Sequence, residues 1–309
     1  MARIAMLGAA LCLGLSLVAS AAEEEFKPGP ANDPNSCNAL WEGIGLPNYM
    51  REEERNTFIV CHTKYVLSHN SATKTPDWVL EYVTKSQLGK NTRPQLKFQP
   101  DPNLPEDKRA VDNDYLSSKF DRGHQAPSAD FSGDPDWMVE SFYLSNIVPQ
   151  VGAGFNRGIW KNLEDLVRDL ITEYRGELYI ITGPVYPDQS GKRISIAAKT
   201  NPCRNEIVLD PPPRAAICGS QAKCEAGVTV PTALFKIIYD PNYKRANAFI
   251  LPNINHRDAP GFKNPADYLK KFQTPVQVVE KYTSLEFFRT LSPRDRRPIT
   301  DQCTAMMLH

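Results

Sequence analysis

Apolar and polar positions fall into a few stretches with distinct periods, and these set the expected elements. Residues 57–67 (TFIVCHTKYVL) are rich in β-branched and aromatic residues and read as a first strand. Residues 77–83 (DWVLEYV), just after Pro76, read as a second. Residues 177–183 (ELYIITG) form a short apolar run that predicts a buried strand. Residues 233–239 and 244–251 flank Asp240-Pro241-Asn242 and predict a hairpin. A helical period appears over 158–174, where Ile159, Leu163, Leu166, Val167, Leu170 and Ile171 recur and Gly176 marks the stop. The stretch 136–148 predicts a helical turn leading into a strand, and 266–272 and 285–291 predict short helices. Residues 89–114, with Pro94, Pro100, Pro102 and Pro105, predict a long surface loop. Strands and helices mix without an internal repeat or a splitting linker, so one α+β domain is expected.

The N-terminus follows a different pattern. After Arg3, residues 4–18 are apolar, broken only by Gly and Ser, and Ala19-Ser20-Ala21 fits a small-x-small cleavage site. The run is short for a membrane span. Residues 1–22 are therefore expected to be a signal peptide, 23–56 an N-terminal lead-in and 57–309 the functional domain. The expected location is periplasmic or secreted, with no membrane attachment after signal cleavage. Six cysteines then remain, Cys37, Cys61, Cys203, Cys218, Cys224 and Cys303. An even count suits an oxidising compartment and up to three disulfides. Cys37 with Cys61 is a plausible pair because both precede the apparent core; a zinc site is disfavoured by the lack of CxxC spacing or a nearby His.

Composition narrows the class. Apolar residues at 41% and charged residues at 23% exclude a disordered chain, a collagen-like chain and a multi-span membrane protein. Lys+Arg equals Asp+Glu at 36 each, so an anionic partner must be met by a local basic patch. One such excess lies in 190–224, where Lys192, Arg193, Lys199, Arg204, Arg214 and Lys223 face only Glu206 and Asp210. Arg294, Arg296 and Arg297 form another. The 26 prolines imply many fixed turns.

Two stretches carry chemistry. The first is Asp121-Arg122-Gly123-His124. The second is Asn146 with Pro149-Gln150, then Asn156, Trp160, Leu163-Glu164 and Arg168. Asn156, Trp160, Glu164 and Arg168 stand four apart and would climb one side of a helix whose start offers backbone N–H groups to an anion. The bland reading is an Asn cap, an amphipathic helix and a Glu164–Arg168 ion pair.

Taken together and in this order, the residues resemble the DNA/RNA non-specific endonuclease family, which includes bacterial sugar-non-specific nucleases and endonuclease G. Weaker matches are Arg93 with Phe98 and Asp101, the strand into Gly183-Pro184, and Leu285-Glu286-Phe287-Phe288. Two departures are an added residue between Asn146 and Asn156 and the Cys-rich 187–227 excursion. The resemblance implies a ββα-metal (His-Me finger) fold, an antiparallel sheet flanked by helices, and metal-dependent hydrolysis of DNA and RNA phosphodiesters with little sequence preference. His124 would be the general base and Arg122 a phosphate-holding group. Asn156 would be the metal ligand for Mg²⁺, with Mn²⁺ or another divalent ion possible. Glu164 would hold the ion's waters and Asn146 would orient His124 or its loop. Arg93 and Arg168 would contact nucleic acid. Asp121 is either a second ligand or a structural anchor. The alternative function is a nucleic-acid-binding protein of nuclease descent that no longer cuts. His62 in a strand, His69 in a polar turn and His256 in a loop are each expected to be structural or solvated.

Overall fold

The computed structural model describes residues 32–50, 56–89, 91, 97–186, 192–219 and 227–305. Residues 1–31, Arg93 and Cys224 lie outside the described residues.

The strands in chain order are β1 (Asn48–Tyr49), β2 (Thr57–Cys61), β3 (Tyr65–Asn70), β4 (Thr75–Thr84), β5 (Phe120–His124), β6 (Ile147–Val151), β7 (Glu177–Val185), β8 (Ile194–Ile196), β9 (Ile207–Leu209), β10 (Ala216–Ile217), β11 (Val228–Thr229), β12 (Ala233–Asp240), β13 (Arg245–Pro252), β14 (Gln273–Thr274) and β15 (Leu285–Glu286). The helices are α1 (Asp112–Tyr115), α2 (Pro135–Glu140), α3 (Lys161–Leu170), α4 (Pro265–Leu269), α5 (Val276–Thr283) and α6 (Pro293–Thr300).

Among the described residues, a seven-stranded sheet runs β14-β13-β12-β7-β4-β3-β2, each neighbouring pair antiparallel. Period-2 alternation on its central strands feeds two cores. Trp78, Leu80, Ile181, Phe235 and Ile237 point to one face, where they meet Leu40, Val276, Val279 and Phe287. Ile180, Leu234, Ile238 and Leu251 point to the other, where they meet Leu163, Val167 and Leu170 of α3. The α+β expectation holds, with helices on both faces of an antiparallel sheet.

Several prolines start helices rather than end them. Pro135, Pro265 and Pro293 occupy first-turn positions behind Asp134, Asn264 and Ser292, whose side chains cap the following N–H groups.

Local expectations needed three corrections. The first strand is a hairpin, β2 and β3, turning at 62–64. His69 is not in a polar turn; it lies in β3 and is fully buried. No helix forms over 285–291. Ser284 takes a left-handed φ of 57° that ends α5, and Leu285 then pairs with Tyr49 of β1 while Phe287 and Phe288 enter the core. The described part of the lead-in also packs down, burying Cys37, Leu40 and Ile44.

Disulfides join Cys37 to Cys61 and Cys203 to Cys303, and Cys218 is disulfide-bonded too. No helix among the described residues is long and apolar enough to cross a membrane.

Candidate active site

β5 and β6 form a two-stranded antiparallel ribbon separate from the main sheet, and the chain then enters α3. This is the expected ββα unit. Its register pairs Asp121 with Gln150, Gly123 with Val148 and His124 with Ile147. Gly123 is needed for space: a Cβ there would lie 2.0 Å from the Gln150 side chain. Gln150 is fully buried and its Nε2 reaches the His124 carbonyl at 3.4 Å. The Gly of Asp-Arg-Gly-His and the Gln after Pro149 are thus a matched pair of sizes.

Arg122 and His124, two residues apart, share a face of β5. The Phe98 ring lies 5.4 Å from the His124 ring and 5.5 Å from the Arg122 guanidinium carbon. Phe142 packs edge-on against His124 at 5.1 Å. Arg122 Nη2 holds Asp112 at 2.6 Å, while its buried Nε has no hydrogen-bond partner among the described residues.

Asp121 is engaged by two side chains. It accepts from Asn156 Nδ2 at 2.8 Å and from Arg157 Nη1 at 2.6 Å. With its N–H₂ end held by a carboxylate, the Asn156 amide is oriented so that Oδ1 is the end left to face an ion. Among the described residues no cluster of three or more His, Cys, Asp or Glu side chains could hold a metal, and the donor set that would hold one is the neutral Asn156 Oδ1 completed by water. That set suits a hard, hydrated divalent cation.

The approach to α3 differs from the expected helix. Residues 152–160 are irregular, with non-helical torsions at Ala153, Gly154, Arg157 and Gly158, and the regular helix begins at Lys161. Asn156 therefore precedes the helix instead of climbing it with Glu164, and no N-terminal anion site forms at 156–158. Gly154, at φ 80°, is required because a Cβ would meet Asn255 Oδ1 at 2.0 Å. The helix ends as expected: Gly176 adopts φ 80° and donates to Ile171 O at 2.9 Å.

Asn146 is wholly buried. Its Oδ1 accepts from Ala126 N, and its Nδ2 donates to Ala126 O and Ser141 O, all at 2.9 Å. It latches the chain that leaves His124. Asn253 does the same for β6, accepting from Val151 N at 2.8 Å and donating to Pro149 O at 3.1 Å. Nothing in the local sequence around Asn253 signals this.

Arg168 is placed differently from expectation. Its guanidinium is taken up by Asp130 at 2.5 Å and Asp165 at 2.6 Å, and only 16% of the side chain is exposed. It braces α3 instead of facing nucleic acid, and its partners are these aspartates, not Glu164. Arg296 is likewise committed, to Glu280 and to Phe287 O.

Beneath α3 runs a polar stripe that the sequence reading missed. Glu81, Thr182 and Lys236 lie on adjacent strands β4, β7 and β12, on the face that α3 covers. Lys236 is buried, donates to Thr182 Oγ1 at 2.7 Å and lies 5.1 Å from the Trp160 ring. Both Glu81 oxygens are buried without a hydrogen-bond partner among the described residues, and burial raises its pKa well above the usual carboxylate range. Burial also pushes the Glu164 carboxyl up to about 7; Lys236 and Arg168 oppose that rise, and Asp130 and Asp165 add to it. Lys at 236 breaks an otherwise apolar strand, and that was the available signal.

Asp101, fully buried, holds His62 at 3.0 Å and also Ser145, tying the 97–111 loop to the ribbon. His69 Nε2 donates to Lys108 O, 2.9 Å away, and His256 joins Tyr268 and Pro252 O. These histidines are structural.

Comparison with known proteins agrees with this geometry. Residues 46–294 match the family described as DNA/RNA non-specific endonuclease. The mitochondrial Nuclease 1 of Schizosaccharomyces pombe is 33% identical over 253 residues, covering 79% of this chain and 70% of its own. The human mitochondrial nuclease EXOG is 32% identical over 270 residues, covering 84% of this chain and 63% of its own. The crystal structure of an EndoG/EndoGI complex superposes with a TM-score of 0.65 at 27% identity, over 87% of this chain and 97% of that one. These two relatives are named as mitochondrial nucleases, which overturns the periplasmic or secreted location expected from residues 1–22.

Proposed function

The chain belongs to the DNA/RNA non-specific endonuclease family, and on that premise we propose that it hydrolyses DNA and RNA phosphodiester bonds with His124 as general base and Mg²⁺ held through Asn156. By the same likeness we infer a mitochondrial location.

The observation that carries this reading is the Asp121 carboxylate. It fixes Asn156 and Arg157 together within the ββα unit that also bears His124. His124 accepts a proton from the attacking water. Phe98 and Phe142 hold its ring in place, and Asn146 fixes the chain that follows. Arg122 offers guanidinium N–H groups to the phosphate beside the base. The bound divalent ion would neutralise charge on the phosphate and the departing 3′-oxygen. Glu164 accepts hydrogen bonds from water around Asn156 and orients it.

The test is digestion of supercoiled plasmid and of total RNA with Mg²⁺ or with EDTA. Cutting of both substrates in Mg²⁺ and none in EDTA is expected. His124→Ala should lower the rate roughly 10²–10⁴-fold with little loss of substrate affinity. A wild-type chain that binds nucleic acid but cuts neither substrate at any metal concentration would establish the non-cutting alternative.

A further inference from the structure

One end of the β5–β6 ribbon opens into a cleft of about 290 Å³ that the proposed cutting chemistry does not use. It is lined by Ser118, Lys119, Phe120, Val151, Pro213 and Arg214. The lining has two cations and no acid. Lys119, Pro213 and Arg214 are exposed, while Phe120 and Val151 form a half-buried apolar floor.

The two walls come from parts of the chain far apart in sequence. Lys119 and Phe120 lead directly into the start of β5, two residues and one residue before Asp121. Pro213 and Arg214 come from the excursion, which is fastened down just beyond them. Ile217 of that excursion, with Val228 and Val230 just after it, packs with Tyr115, Leu144 and Ile147 of the ribbon side. Gly219 N donates to Asp114 O at 2.7 Å, and Val230 N to Ala215 O at 2.9 Å. Cys218 is disulfide-bonded. Arg214 therefore stands just before the paired strands β10 and β11.

The Lys119 wall carries a second signal. Ser117 and Lys119 adopt φ of 58° and 68°, the left-handed region that glycine occupies without strain. The Ser118 side chain between them is buried and accepts from Phe120 N at 3.1 Å, which fixes the turn. A long cationic side chain is thus held at a strained position beside the cleft, a pattern that points to function.

We propose that this cleft is a second phosphate-binding subsite, which grips the nucleic-acid strand beyond the bond being cut. Lys119 and Arg214 take a backbone phosphate each, and Phe120 with Val151 gives the adjoining sugar or base an apolar surface. The subsite rests on the reading of His124 and Asn156 as the cutting centre. Phe120 lies four residues from His124, about 13 Å along the strand. A duplex strand carries a phosphate every ~3.4 Å of axis, so the subsite lies roughly four phosphates away. Backbone contacts of this kind position the substrate without reading its sequence. The excursion thereby lengthens the substrate track.

The experiment compares the wild-type chain with the Lys119→Gly/Arg214→Ala double variant on a single-stranded 12-mer and on a trinucleotide, in Mg²⁺ across a salt series. Glycine suits the left-handed turn, so folding is retained, and melting of the two proteins checks it. KM for the 12-mer should rise roughly tenfold in the double variant. KM for the trinucleotide, too short to span both places, should change less than twofold. The log–log salt slope of kcat/KM on the 12-mer should shrink by about 1.4, or ~0.7 for each lost phosphate contact. Lys119→Arg in place of Lys119→Gly should recover about half of that slope. An unchanged slope on the 12-mer would overturn the subsite, as would an equal KM rise on both substrates, which would mark a general charge effect. A wild-type chain that cuts neither oligonucleotide would overturn the nuclease reading itself, an outcome distinct from either.

Discussion

Replacing Asn146 by Ala isolates the support of the base from the chemistry of the base. The side chain is fully buried and makes three bonds to main-chain groups, each 2.9 Å long. Alanine would leave the Ala126 N–H and the carbonyls of Ala126 and Ser141 buried without that partner. Each such group costs about 1–3 kcal/mol, so even the lower end sums to roughly 3 kcal/mol. That is a large share of the ~5–15 kcal/mol by which a folded chain is stable. Ala126 is two residues from His124, so the base should also lose its placement; a shift on the order of 1 Å can cost about 10²-fold in rate. Asn146→Asp is expected to do no better, because it keeps the acceptor for Ala126 N–H but turns a carboxylate oxygen towards two carbonyls. Urea unfolding followed by circular dichroism measures the first effect. Plasmid nicking at saturating Mg²⁺, under conditions where the variant is folded, measures the second, and the Mg²⁺ concentration for half-maximal rate should stay near the wild-type value. A variant within ~1 kcal/mol of wild type that keeps more than about a tenth of its rate would refute the latch.

Asn156→Ala should raise the Mg²⁺ requirement steeply or abolish cutting, whereas Glu164→Gln should weaken metal use by roughly 10–100-fold without removing it; a metal titration in which Glu164→Gln is dead and Asn156→Ala nearly normal would reverse the two roles. Burial lowers the His69 pKa to about 4 in the folded chain. The unfolded chain therefore takes up the proton first, so stability present above pH ~6.5 is lost as pH falls through 4. The total is on the order of 3 kcal/mol, of which about 2 kcal/mol is gone by pH 5. His69→Gln should flatten urea midpoints between pH 7.5 and 5, and an unaltered pH slope would show that another group controls acid sensitivity. The Cys203–Cys303 bridge closes 100 residues of chain. Its replacement by Cys203→Ser/Cys303→Ser should cost about 2–5 kcal/mol, and calorimetry that finds no lower melting temperature would contradict this.

The chain's own pattern determined most strands of the main sheet and the amphipathic body of α3, and the resemblance carried by its short motifs implied the antiparallel order and the ββα unit. Such features are local. A period of two or of 3.6 reports which side of one element is buried, and short motifs such as Asp121-Arg122-Gly123-His124 keep their residues adjacent whatever the fold does around them. Partners brought together by sheet order were not legible. Glu81, Thr182 and Lys236 are up to 155 positions apart, yet the order β4-β7-β12 places them side by side under α3. The same holds for Asn253, which reaches β6 from the end of β13 across 102 positions. Arg168 looked like a phosphate contact because its spacing from Asn156 suited one helix face. The irregular turn at 152–160 removed that register, and Asp130, 38 positions earlier, took the charge. His69 and residues 285–291 were misplaced for one further reason. A polar residue can be buried when a distant carbonyl satisfies it, and an apolar run can serve as strand or helix, so the tertiary partners decide both.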